Sequence, residues 1–155
     1  QCLEAAIRCF EWCDKNCYAN QAAEMGAALV SSVELYRSTN IDLYLKRAIE
    51  YASRLLEIQV IEPIDNNYHI RGFFKTSARD DEPARLDWQG PLYLTGLCLL
   101  YETKPDHPDA PKWKEAIRMY CNDYLTKIIE MNNFKNKKKK DIKSEKDCME
   151  KDEGQ

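Results

Sequence analysis

From Trp88 to Tyr101 the chain carries no charged side chain. Leu92, Tyr93, Leu94, Leu97, Cys98, Leu99, Leu100 and Tyr101 fill most of this stretch, and Gly90-Pro91 offers a helix start. A helix that is apolar around most of its girth has to be enclosed by other elements. The stretch is shorter than the ~18 residues that cross a bilayer. It is also interrupted by Gln89, Gly90, Thr95 and Gly96. A buried helix is therefore expected here, and no membrane partner.

A second segment of this kind runs from about Asn20 to Ser38. Ala22, Met25, Leu29, Val33 and Tyr36 cover one face, and Ala23, Gly26, Ala27 and Val30 another. The remaining helices are two-faced. In the first, about Cys2–Cys17, the stripe is Leu3, Ala6, Ile7, Phe10, Asp14 and Cys17. The third shows Leu45, Ala48, Ile49, Ala52, Leu55 and Leu56, with Asn40 or Asp42 placed to cap it. The fifth starts at Asp109 and Pro111, and its stripe is Trp113, Ile117, Tyr120, Cys121, Tyr124, Leu125 and Ile128. Half-wet and enclosed helices thus alternate, broken by a long irregular stretch from about Val60 to Asp87. Within it, Tyr68 to Lys75 is predicted as a short strand or hairpin arm.

The second and third helices match the fourth and fifth. Tyr36-Arg37-Ser38-Thr39 aligns with Tyr101-Glu102-Thr103-Lys104. Leu45, Ala48, Ile49, Ala52 and Leu56 align with Trp113, Ala116, Ile117, Tyr120 and Tyr124. This is a helical-hairpin repeat. Two architectures bury such hairpins: an open solenoid, or a double ring with enclosed helices inside and half-wet helices outside. In a double ring the outer-to-inner connections crowd one mouth and run long, which is how Val60–Asp87 behaves. The expected fold class is all-α, with residues 1–134 forming five helices of a partial (α/α)6 toroid. An incomplete ring would leave the second and fourth helices with exposed apolar flanks. Because Leu3 already sits in a helical pattern behind Gln1, the chain is expected to be a piece of something longer.

Hydrophobic residues make up 44% and charged residues 32% of the chain, a globular mixture rather than a disordered one. Residues 135–155 hold 8 Lys against 6 Asp and Glu, leaving 15 basic and 20 acidic residues in 1–134. An acidic body is a poor match for phosphate backbones, so no nucleic-acid partner is expected. The tail from Lys135 breaks every earlier pattern and reads as a solvated, disordered end. Its Lys137–Lys140 run also fits frame slippage or an assembly error in an A-rich coding stretch. Resequencing that returns the same Lys-rich end and a stop would overturn that idea.

Seven cysteines cannot all pair within one chain. Cys9, Cys13 and Cys17 share one helix face, but a closed metal site normally takes a fourth ligand. They read as small packed residues, as do Cys98 and Cys121, and no metal or cofactor is expected.

The segment Gly72-Phe73-Phe74-Lys75-Thr76-Ser77-Ala78, then Trp88, then Pro105-Asp106-His107-Pro108-Asp109 and Lys112-Trp113, resembles the six-hairpin (α/α)6 glycoside hydrolases. Within these it is most like the bacterial family 9, cellulase-type group. Leu35-Tyr36-Arg37-Ser38-Thr39 followed by Tyr44-Leu45 is also typical of sugar-processing toroids. The likeness spans roughly residues 1–131. The family's Asp-Ala-Gly-Asp run, its acid Glu and its His-Arg motif are not found here. No catalytic residue is carried over. The resemblance implies a central fragment of a glycosidase acting on a polysaccharide or oligosaccharide, inactive alone.

Glycoside hydrolysis normally takes two carboxyl groups, and sugar binding uses flat aromatic faces and polar partners. In the long loop Asp80, Asp81 and Arg79 are candidates to bond sugar hydroxyls, although the Arg79–Glu82 run reads more readily as a solvated charged turn. Among the aromatics, Trp88, Tyr93 and Phe74 are candidate sugar platforms. Trp88 reads equally as a core anchor whose indole N–H finds a carbonyl. Trp113 is expected in the core, His107 in a structural turn, and His69 exposed. Two rival readings stand beside it: a non-enzymatic helical-repeat module that binds peptide, and a sugar isomerase or unsaturated-uronide hydrolase on the same ring.

Overall fold

The computed structural model describes residues 1–16, 19–63, 70–84 and 91–133. Trp88, Asp87, His69 and the tail from 135 onward lie outside the described residues, as do the side chains of Asp80 and Asp81. The fold is all-α apart from one small hairpin. The elements are α1 (Cys2–Asn16), α2 (Ala22–Thr39), α3 (Asp42–Glu57), β1 (Lys75–Ser77), β2 (Asp80–Pro83), α4 (Leu92–Thr103) and α5 (Ala110–Met119).

α2 and α4 lie side by side in the same direction. Near their starts, Gly26 abuts the backbone of Leu92 and Tyr93. At their ends, Arg37 donates from Nε to Thr103 Oγ1 at 2.8 Å and pairs with Glu102 at 3.5 Å. Contact this close is possible because Gly26 and Gly96 present no side chain: a Cβ on Gly96 would lie 2.7 Å from Leu29 Cγ. Between them sit Leu29, Leu97 and Leu100, all at 0% exposure.

α3 and α5 each follow one of these helices and bury the equivalent stripe. Ala48 and Ala116 occupy matching positions and are buried, as are Ala52 and Tyr120. Trp113 is fully enclosed, and His107 stacks on it at 5.0 Å with the planes 15° apart. The hairpin repeat is thus present in three dimensions as two adjacent α-hairpins sharing one core.

The helix boundaries are decided by local backbone chemistry. Glu24 reaches back to the backbone N–H groups of Asn20 and Gln21 (3.0 and 3.2 Å), fixing the start of α2. Asn40 does not cap α3, contrary to the sequence expectation. It adopts φ 56° and donates its N–H to Tyr36 O at 2.7 Å, so it terminates α2 instead. Asn tolerates this left-handed conformation better than most residues. Asp42 is the first residue of α3, and Ile41, which has no capping side chain, precedes it.

The connection after α3 folds back on itself. Val60 donates to Phe73 O, Gly72 to Val60 O, and Lys75 to Ile58 O. Of the strand expected over Tyr68–Lys75, Tyr68 and His69 lie outside the described residues, and among the rest strand begins only at Lys75, with Lys75–Ser77 paired antiparallel to Asp80–Pro83. Phe73 and Phe74 precede it and are buried, so the aromatic pair anchors the hairpin while its polar residues form the ladder. Gly72 has φ 86° and presses on the Met119 carbonyl, a conformation and a contact that only glycine accommodates.

Beyond α5 the next turn widens: Tyr120–Leu125 forms a π-helix, and helix continues over 126–133. Arg71 pairs with Asp123 there at 2.8 Å, tying the connection to the widened turn. Among the described residues, no helix is long and apolar enough to cross a membrane.

α1 behaves differently from the other helices. It has no buried residue. It is attached by Phe10, edge-on to Tyr44 at 5.7 Å, and by Asp14, which accepts from Tyr51 at 3.0 Å and pairs with Arg47 at 3.0 Å. α2 is therefore enclosed by α3 and α4 but open on its third side. Leu97 is buried as expected for an enclosed helix, whereas Ala27 is exposed.

Candidate functional site

Because α2 and α4 are parallel, both start at the same end of the molecule. The C-terminus of α3 and the β-hairpin lie there too, joined by the bridge between Gln21 and Ser77. A pocket of about 290 Å³ opens at this end. Its floor is Met25, and its polar walls are Asn20 before α2, Arg54 and Glu57 on the last turn of α3, and Ser77 and Arg79 on the hairpin.

Arg54 is the best-anchored polar group of the pocket. Its guanidinium donates to the Ala19 carbonyl and lies 5.8 Å from the centre of the Tyr51 ring, a cation–π distance. Tyr51 is itself held by Asp14. Burial, and then the bond to Asp14, push the Tyr51 hydroxyl up to about 12, so it stays protonated and donating. Arg79 is exposed at the hairpin turn, where its backbone N–H donates to Ser77 Oγ at 3.3 Å.

Of the residues singled out from the sequence, Arg79 lines this pocket. Asp80 and Asp81 belong to β2, the strand that follows it. Tyr93 and Phe74 do not reach it. Both are 1% exposed, their ring centroids 5.1 Å apart, and both pack on Tyr120. The Tyr93 and Tyr120 hydroxyls meet at 3.1 Å inside the core. Burial drives both hydroxyls above the usual phenol value. In this structure these rings fill the space behind the hairpin and present no open face to a sugar.

Arg54, Glu57, Asn20 and Ser77 were not anticipated from the sequence. Arg54 and Glu57 sit on the wet face of α3, where charge is ordinary. Their position in the last turn, next to the long connection, is the one signal that could have marked them.

The pocket brings together one carboxylate, two guanidiniums, an amide and a hydroxyl. A single carboxylate among the described residues does not assemble the acid–base pair of a glycosidase. The arrangement can recognise a polar ligand by hydrogen bonding. Among the described residues, two other concavities stand out. Arg71, Asn122, Asp123 and Lys127 border one of about 340 Å³ beside the π-turn. The larger, about 630 Å³, is an apolar groove between α1 and α2, where Leu3, Cys9, Phe10 and Cys13 face Ala27 and Ser31. Cys9 is an exposed free thiol. Among the described residues, no three His, Cys, Asp or Glu side chains group closely enough to hold a metal ion.

No family model matches the chain, and neither a curated protein nor a solved structure matches it significantly.

Proposed function

We propose that the chain is part of a glycoside hydrolase of the (α/α)6 toroid type and contributes a carbohydrate-binding wall rather than the catalytic pair. The observation that carries this reading is the polar pocket at the common start of α2 and α4. In a double ring of hairpins, that end is the mouth onto which the long outer-to-inner connections fold. Asn20, Arg54, Glu57, Ser77 and Arg79 are there, and all can bond sugar hydroxyls. The pocket is near the lower end of ligand-site volumes, ~300 Å³, a size suited to a single sugar ring. The resemblance around Gly72–Ala78 falls on the hairpin that supplies two of these residues.

The test is a titration of the isotope-labelled chain with short oligosaccharides, followed by amide NMR. Shifts confined to Asn20, Arg54–Glu57 and Ser77–Arg79 support the reading. No shift at millimolar sugar removes it.

A peptide-binding helical-repeat module is the second reading, favoured by the apolar groove between α1 and α2. It predicts that an apolar helical peptide perturbs Leu3–Cys13 and Ala27–Ser31, and that sugars perturb nothing.

A further inference from the structure

We infer that the apolar groove between α1 and α2 is the seat of one more enclosed helix of the same repeat, lying beside α2 as α2 lies beside α4 and leading into α1 as α2 leads into α3. The inference is independent of what the chain binds. Its basis is a correspondence between the two walls of the groove and the two walls of the space that α2 itself fills.

The first wall is α1, where Leu3, Ala6, Phe10 and Cys13 line the groove. Leu45, Ala48, Ala52 and Leu55 stand 42 positions later, at the same spacing on α3. α3 packs on α2, which precedes it, and on α4, which follows. Its Ala48, Ala52 and Leu55 are all at 0% exposure. Among the described residues, α1 has an enclosed helix after it but none before it, and Leu3, Ala6 and Cys13 are exposed.

The second wall is α2, where Ala27, Ala28, Ser31 and Leu35 line the groove. Leu92, Tyr93, Gly96 and Leu100 stand 65 positions later on α4. They mark the side of α4 that meets α2, with Tyr93 against Gly26 and Gly96 against Leu29. Each wall of the groove therefore repeats a wall of the berth of α2, and a single helix completes both.

The fitting occupant is uncharged. Three carboxylates border the groove, and each is already engaged within the chain. Asp14 is held by Tyr51 and Arg47, Glu24 by the backbone N–H groups of Asn20 and Gln21, and Glu34 by Arg37. Ser31 donates to the Ala27 carbonyl at 2.9 Å, so covering it strands no hydroxyl proton. The groove needs apolar surface, which a helix of the α2 or α4 kind offers around most of its girth. A whole hairpin from a second copy does not fit, because α1 already fills the place of its second helix.

The experiment duplicates Gln21–Asp42 directly ahead of Gln1 in the full chain. Leu3 then follows the added helix in the register that Leu45 has after α2. Iodoacetamide labelling of Cys9, exposed in the unextended chain, should slow about tenfold or more, because the groove has to open before the thiol reacts. Ala6→Glu, at an exposed position, should leave the circular dichroism and urea midpoint of the unextended chain unchanged and restore rapid labelling in the extended one. Unchanged Cys9 labelling in the extended chain overturns the inference. So does slowing that survives Ala6→Glu, or equal slowing by a scrambled segment of the same composition. Sedimentation of the unextended chain as a dimer with Cys9 already protected would give the seat to a second copy and overturn it as well.

Discussion

Gly26 lies directly against the backbone of Tyr93, leaving no room for a side chain between α2 and α4. The contact sets how close the two enclosed helices come, and every apolar residue between them is sized to that spacing. Gly26→Ala is expected to destabilise the chain by about 1–3 kcal/mol, the range for overpacking a dense core. Ala27→Ser, one residue along on the open side, should stay within about 0.5 kcal/mol. Urea unfolding of both variants checks the pair. Equal effects would mean that α2 and α4 do not touch at Gly26.

The Tyr93 and Tyr120 hydroxyls are each other's hydrogen-bond partner inside the core. Tyr93→Phe removes one and strands the other, which should cost about 1–3 kcal/mol. Tyr93→Phe combined with Tyr120→Phe removes both, and the loss should fall short of the sum of the single variants. A double-mutant cycle by chemical denaturation reads the coupling directly.

Tyr51 is expected to make stability fall in alkali. Its folded hydroxyl is pushed up to about 12 by burial and by Asp14. An unfolded tyrosine ionises near ~10. The folded state then holds the proton more tightly, so this contribution is complete below about pH 10 and is lost as pH climbs towards about 12. Unfolding midpoints at about pH 9 and about pH 11 should drop less in Tyr51→Phe than in the parent. The other buried tyrosines add to the same slope, so the variant reduces it without abolishing it.

Thiol labelling should divide the cysteines by helix. Cys9 is exposed on α1, whereas Cys98 on α4 is partly enclosed, and burial and then the neighbouring Cys121 thiol push its own thiol up. Reaction requires thiolate and access, so iodoacetamide should modify Cys9 well before Cys98 at neutral pH. Peptide mass spectrometry over time shows the order, and simultaneous labelling would contradict the packing of α4 on α5.

The helices themselves were legible because their apolar residues recur at helical spacing and their burial follows that spacing. Trp113 and Leu97 were identifiable as interior on this basis. What the spacing could not supply was direction. Phe74 and Tyr93 stand near the long connection in sequence, but whether such a ring faces sugar or core depends on what packs behind it, and here Tyr120 does. The role of Asn40 was misassigned because an asparagine between two helices can stop one or start the next; its left-handed backbone decides for the stop. The π-turn at Tyr120–Leu125 left no mark on the pattern, since one widened turn shifts the stripe too little to register. The pocket at the hairpin was half visible: Arg79 stood out in a charged run, while Arg54 and Glu57 looked like any solvated helix face.

The attachment of α1 has a consequence for how the molecule opens. Ile7 and Phe10, packed on Leu35, Tyr36 and Tyr44, and the carboxylate of Asp14 are its main anchors, and no residue of α1 is buried. Its release exposes little apolar surface, so it costs a small part of global unfolding. The amide hydrogens of Cys2–Asn16 should therefore trade with deuterium in an early, separate phase, long before those of α2 and α4. A molecule with its first helix swung away would show its neighbours a continuous face of alanine and serine along α2.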